Sequence, residues 1–160
     1  MIAFNRDEDL DREAEPLSFQ KDFPNIICGL DKQTGTTWLA LNKRSGDFAV
    51  LTNFRTIKNH KPAKYQTRGI LILEYVKIRD ETIKDKMFQS IEQYEKEVFN
   101  HIYRGFNLIY GNILTGDLKY RKNDMDSVSE PMEVPKDLLH GMSNGGLNIW
   151  DKVHRGKFLM

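Results

Sequence analysis

The sequence predicts a single mixed α+β domain, and three observations carry that expectation. Two pairs of β-rich segments each flank turn chemistry, a stripe at helical spacing lies between the pairs, and the 160 residues suffice for one domain. The predicted order is hairpin, helix, hairpin, helix, which favours segregated α+β layers over a doubly wound sheet.

Taken in order, residues 1–4 are apolar and read as the last residues of a strand. Residues 9–25 are acidic, carry Pro16 and Pro24, and read as a loop. Residues 37–41 and 48–52 are rich in Thr, Val, Leu and aromatics. Asn42-Lys43-Arg44-Ser45-Gly46-Asp47 between them is turn chemistry, so the three pieces form a hairpin. Residues 55–68 make a basic loop. Gly69 to Lys77 is an apolar run that fits a buried strand or a buried helix equally. From Thr82, a plausible cap, Ile83, Met87, Ile91, Tyr94, Val98 and Ile102 recur at steps of three and four, the spacing of an amphipathic helix. Residues 106–110 read as a strand, Thr115-Gly116-Asp117 as a second hairpin turn, and 118–120 as the returning strand. Residues 122–137 carry Pro131 and Pro135 and read as a surface loop. Residues 138–143 suggest a short strand and 150–159 a helix.

Composition removes several classes. Cys28 is the lone cysteine, so a disulfide framework and paired-cysteine zinc sites are excluded. A formal net charge of +1 argues against coating nucleic acid by bulk electrostatics. Ile70-Leu71-Ile72-Leu73 is the longest apolar run, ends at Glu74, and is far short of the ~20 residues of a membrane span. Asp7, Glu8, Asp9, Asp11, Glu13 and Glu15 make an acidic start, unlike a secretory or mitochondrial presequence. An intracellular protein is expected.

Motifs with catalytic meaning fail on their spacing. Gly141-Met142-Ser143-Asn144-Gly145 matches the nucleophile elbow, but only Asp151 and His154 follow it in triad order, too close to come from separate strands. Asp7, Asp9 and Asp11 begin like a calcium loop, but Arg12 and Ser18 stand where Gly and Glu are required. His60, His101, His140 and His154 lack ligand spacing, so no metal is expected. Arg55, Lys58, Lys61, Lys64 and Arg68, beside Phe54 and Tyr65, could hold an anion or simply be solvated. Cys28, among Ile26, Ile27 and Gly29, reads as a buried structural thiol.

Asn5-Arg6-Asp7-Glu8 is the signature block of the NRDE family, also called the transport and Golgi organisation protein 2 family. Further blocks resemble that family in the same order: Gly29-Leu30-Asp31, Gly35-Thr36-Thr37-Trp38-Leu39-Ala40, Thr52-Asn53-Phe54-Arg55, Thr67-Arg68-Gly69, Tyr103-Arg104-Gly105-Phe106-Asn107-Leu108, and Gly141-Met142-Ser143-Asn144 followed by Trp150-Asp151-Lys152. Thr36 and Ala40 stand where the family carries glycines. The resemblance spans the chain.

The resemblance implies an αββα four-layer sandwich of the N-terminal nucleophile hydrolase type, here incomplete at both ends, with residues 1–160 as part of one domain. In that fold a terminal Cys, Ser or Thr is the nucleophile and its α-amine the base. Residues 1–4 hold none, so the expected function is non-catalytic: ligand binding or assembly related to haem or lipid handling or to secretory organisation, with no cofactor. The implied pocket residues are Asn5, Arg6, Asp7, Trp38, Asn53 and Asn144. The implied partners are haem or an acyl lipid, and proteins that complete the sheet edges. Two alternatives remain: an amidohydrolase whose nucleophile lies outside this chain, and a structural subunit of a larger complex.

Overall fold

Two turns of the same chemistry close the sheet at one end. Asn42-Lys43-Arg44-Ser45-Gly46-Asp47 joins β3 (Leu39–Asn42) to β4 (Asp47–Asn53), and Asn112-Ile113-Leu114-Thr115-Gly116-Asp117 joins β5 (Phe106–Asn112) to β6 (Asp117–Asn123). In each, the asparagine Oδ1 accepts two backbone N–H groups: Arg44 at 3.0 Å and Ser45 at 3.3 Å, and Leu114 at 2.9 Å and Thr115 at 3.3 Å. Gly46 and Gly116 take φ values of 78° and 75°, where a side chain would strain the backbone. Both hairpins expected from the sequence are therefore present.

The computed structural model describes residues 2–6, 8–55, 65–100 and 103–159. Among them the architecture is α+β, with one antiparallel sheet whose seven strands follow chain order. The remaining strands are β1 (Ala14–Phe19), β2 (Ile26–Asp31) and β7 (Met132–Glu133); the helices are α1 (Gly69–Lys77), α2 (Ile91–Glu97) and α3 (Asp151–Leu159). The link from β4 to β5 carries α1 and α2 over one face, where Ile26, Cys28, Ala40, Ala49, Leu51, Phe106, Leu108 and Tyr110 form the core with Leu71, Ile72, Val76 and Tyr94.

Several expectations are corrected. Residues 2–4 form no strand. The expected loop 9–25 contains β1, an exposed edge strand with a register shift between Glu15 and Ser18; Pro16 is tolerated there because an edge residue need not donate to a ladder. The ambiguous segment 69–77 is helical, because β4 and β5 pair directly and leave no inner edge for another strand. As a helix it satisfies its own backbone while burying nearly every side chain. The expected helix from 82 is regular only over Ile91–Glu97, followed by a 3-10 turn over Val98–Asn100. Ser90 caps it, accepting Gln93 N–H at 3.1 Å, while Gln93 Oε1 accepts Gln89 N–H at 2.9 Å. Thr82 instead donates its hydroxyl to Asp80 at 2.6 Å; of the expected stripe Ile83, Tyr94 and Val98 are buried, Ile91 is half-buried and Met87 is exposed. Ile102 lies outside the described residues. The expected loop 122–137 contains the end of β6 and β7, and residues 138–143 are not a strand.

A polar network locks the turn end of the sheet to α1. Asn42, fully buried, donates to Val76 O and to Asp80 Oδ2, each at 3.0 Å, and Asn25 donates to the same carboxylate at 3.1 Å. Burial alone would raise the Asp80 carboxyl, but hydrogen bonds from Thr82, Asn42 and Asn25 outweigh it and hold the group down at about 2. A depressed carboxyl stabilises the fold above its unfolded pKa of ~3.9, and that contribution is lost as pH falls through about 2. Denaturant unfolding of wild type and Asp80→Asn should therefore show a stability gap that narrows by on the order of 2 kcal/mol between pH ~4 and pH ~2. A gap independent of pH would contradict it.

Candidate functional site

The sheet end opposite the turns gathers most of the residues singled out from the sequence. Trp38 enters β3 there, its carbonyl accepting Leu51 N–H at 2.8 Å. Beyond Leu51, β4 ends at the exposed Asn53, and Phe54 N–H donates to Gly105 O at 3.0 Å where β5 begins. Arg68 reaches the same Gly105 carbonyl with Nη1 at 2.8 Å. Arg55 N–H donates to Asn144 O at 2.8 Å, which brings the exposed Asn144 to Asn53's end of β4. Arg6 lies over Trp38, its guanidinium carbon 3.9 Å from the ring centroid, a cation–π contact. Asn5 is exposed beside it in the chain. Asp7, Lys58, Lys61 and Lys64 lie outside the described residues.

Arg12 and Arg104 were not singled out from the sequence. Arg12 donates from Nε to Asp31 Oδ2 at 2.7 Å and from Nη1 to Glu8 Oε2 at 3.2 Å. Burial alone would raise the Asp31 carboxyl, but the bonds from Arg12 and Gln33 N–H keep it below its ordinary value. Asp31 pairs across to Thr36, whose hydroxyl meets that of Thr67 at 3.3 Å, next to Arg68. Arg68 is held down to about 10, first by burial and then by the positive charges of Arg104 and Arg12, against a smaller opposing effect of Glu8. Gly69, which starts α1, has no room for a Cβ: Thr36 Oγ1 and the Thr37 carbonyl occupy that space.

Asn107 governs the second face of the sheet. It is fully buried on β5 and donates to Ser143 O at 2.9 Å and Gly145 O at 2.7 Å, while its Oδ1 accepts Tyr120 OH at 2.7 Å. Thr52 Oγ1 donates to the same Ser143 carbonyl at 2.6 Å. These bonds seat residues 141–150, and Gly145 abuts the Trp150 indole with no space for a Cβ. Ser143 is thus a structural residue on a loop without the strand that a nucleophile elbow needs. His140 is likewise tied down, Nε2 to Pro135 O at 2.7 Å and Nδ1 to Asn148 Nδ2 at 3.2 Å. Cys28 is fully buried in the core, and burial pushes its thiol up to about 11, which disfavours the thiolate. Among the described residues no group of three or more His, Cys, Asp or Glu could hold a metal, and no helix is long and apolar enough to cross a membrane.

Fold and sheet end together define an α+β protein whose candidate site is built from guanidinium groups, an indole and side-chain amides. A family model, Transport and Golgi organisation 2, matches residues 1–160, and the chain belongs to that family. It is 29% identical over 169 residues to the Transport and Golgi organization protein 2 homolog of Bos taurus, covering 99% of this chain and 55% of that protein. It is 28% identical over 168 residues to the Homo sapiens homolog, with the same shares covered. The chain thus spans about half the length of the curated relatives it matches.

Asn107→Asp tests the seating of residues 141–150. The substitution keeps shape but turns a donor towards two carbonyl oxygens into a carboxylate, which should cost about 3 kcal/mol and speed hydrogen exchange at Arg55 N–H. Unchanged exchange at Arg55 would show that the loop is held some other way.

Proposed function

We propose that this family member binds an apolar ligand bearing an anionic head, in the class of haem or an acyl lipid, at the Trp38 end of the sheet. Its own side chains carry out no covalent step, and it acts in the cytoplasm or the mitochondrion. The observation that supports binding is the Arg6–Trp38 cation–π pair, at 3.9 Å, at the end of the sheet that also carries the exposed Asn53 and Asn144. Asn5, which precedes Arg6 in the chain, belongs to the proposed pocket, and Arg55 and Arg68 supply cationic groups at the same end of the sheet. The single cysteine, sealed in the core with a raised thiol, argues against nucleophilic chemistry by this chain.

The second reading is structural, and a specific observation favours it. The face of the sheet away from α1 and α2 carries Ile27, Leu39, Leu41, Val50, Ile109 and Leu118, all half-buried. Such a face suits packing by a second sheet about 10 Å away, as in an αββα sandwich of which these residues form one part. The exposed β1 is an edge that a partner chain could extend, which fits a role in assembly.

Titration of the purified chain with haem, followed by absorbance, and with an acyl-CoA, followed by calorimetry, tests the binding reading. Saturation with at least one of them is expected. No saturable signal from either would overturn it.

A further inference from the structure

Asn144 is the only asparagine in the sequence that precedes a glycine, and the pair carries a chemistry of its own. Attack of the glycine's backbone nitrogen on the asparagine Cγ closes a five-membered ring within the chain. Proximity favours such an intramolecular step, and a glycine, without a Cβ, leaves the attacking nitrogen unshielded. Whether a fold permits the reaction depends on the two groups that must meet.

Here both groups are open. Asn144 is exposed, and among the described residues neither its side-chain amide nor the Gly145 N–H makes a hydrogen bond. The other asparagines of this part of the fold are committed. Asn107 and Asn123 are buried, and their amides donate to main-chain carbonyls, while Asn148 Nδ2 is held by His140. Nor can the glycine be exchanged for a less permissive residue, because a Cβ at 145 would meet the Trp150 indole. The packing that seats residues 141–150 thus keeps the labile pair in place.

We infer that Asn144–Gly145 is a self-modifying site, at which deamidation converts Asn144 to aspartate and isoaspartate and unseats residues 141–150. Hydroxide takes the Gly145 amide proton, and the nitrogen forms a bond to Asn144 Cγ. The Cγ–Nδ2 bond breaks, and Nδ2 leaves as ammonia after taking a proton from water. One water then opens the cyclic imide at either of its carbonyls. Opening at Cγ restores the main chain and leaves a carboxylate on the side chain. Opening at the main-chain carbonyl carbon routes the chain through Cβ and Cγ, which lengthens it by one backbone atom. In that second product the Asn144 carbonyl, which accepts Arg55 N–H at 2.8 Å, becomes a free carboxylate. The extra atom enters between that anchor and the next, Gly145 O on Asn107 Nδ2 at 2.7 Å, while Thr52 and Asn107 hold Ser143 O on the other side. One anchor must give.

Peptide mapping of the purified chain, incubated at neutral and at mildly alkaline pH, tests the site. Asn144 should be converted while Asn148 stays intact, and the rate should rise with pH because hydroxide starts the step. Isoaspartate-specific methyl transfer should label the product. The rate in the folded chain should lie within ~10-fold of that in the same chain unfolded in guanidinium chloride, a barrier difference of about 1.4 kcal/mol at most. Asn144→Gln can close only a six-membered ring and should stay unconverted. Hydrogen exchange at Arg55 N–H should speed up in aged wild type and not in Asn144→Gln aged alongside it. A folded chain protected by a wider margin than that would overturn the site. Unchanged Arg55 exchange in a fully converted chain would overturn the unseating.

Discussion

Seven consecutive residue pairs between β4 and β5, from Asp47 with Asn112 to Asn53 with Phe106, set which side chains meet the helices and which face the other way. A slip of one residue would exchange the two sets, bringing Asn107 under α1 and sending Leu108 to the far face. The register is pinned at the turn end, where Asn112 Nδ2 donates to Ser45 O at 2.7 Å and to Asp47 Oδ1 at 3.2 Å. At the other end it is pinned by Phe54 N–H on Gly105 O. That second anchor places Asn53, Arg55 and Arg68 around the start of β5.

The two faces then use different physics. Towards the helices the sheet is sealed by an apolar and aromatic core, with Tyr94 in edge contact with Tyr75 at 5.3 Å and Phe88 at 5.5 Å. Glu95 fastens α2 to the sheet, accepting from Tyr110 OH at 2.9 Å and from Lys119 Nζ at 2.8 Å. On the opposite face a hydrogen-bonded hub, Asn107, does what packing does on the first: it seats a glycine-rich loop by donating to the Ser143 and Gly145 carbonyls. A glycine at 145 lets that loop pass against Trp150, and a glycine at 69 lets α1 start against Thr36.

Local chemistry was legible in the sequence, and long-range pairing was not. The two hairpins were readable because Asn, Gly and Asp at fixed offsets determine a turn without help from elsewhere. The buried positions 83, 94 and 98 were readable from spacing, though Met87 of the same stripe is exposed; the continuous helix that spacing implied does not form, because Asp80 captures Thr82 and delays helix start to the Ser90 cap. β1 was invisible, since its six exposed residues have no apolar alternation and its identity comes only from pairing with β2. At the site, the family blocks pointed to Arg6, Trp38, Asn53 and Asn144, and the run of cations over 55–68 pointed to Arg68. Arg12 and Arg104 were not read as site residues because their roles depend on Asp31 and Tyr65, which the fold brings near them.

The central claim is that the Trp38 end of the sheet, and not its edges or its helical face, receives the ligand. Chemical-shift mapping by NMR on addition of dodecanoate tests it most directly. The account predicts the largest movements at the Arg6 Nε–H, the Trp38 indole N–H, and the backbone amides of Asn53, Arg55 and Asn144. Movements confined to β1, or to α1 and α2, with the Arg6 and Trp38 signals unmoved, would contradict it.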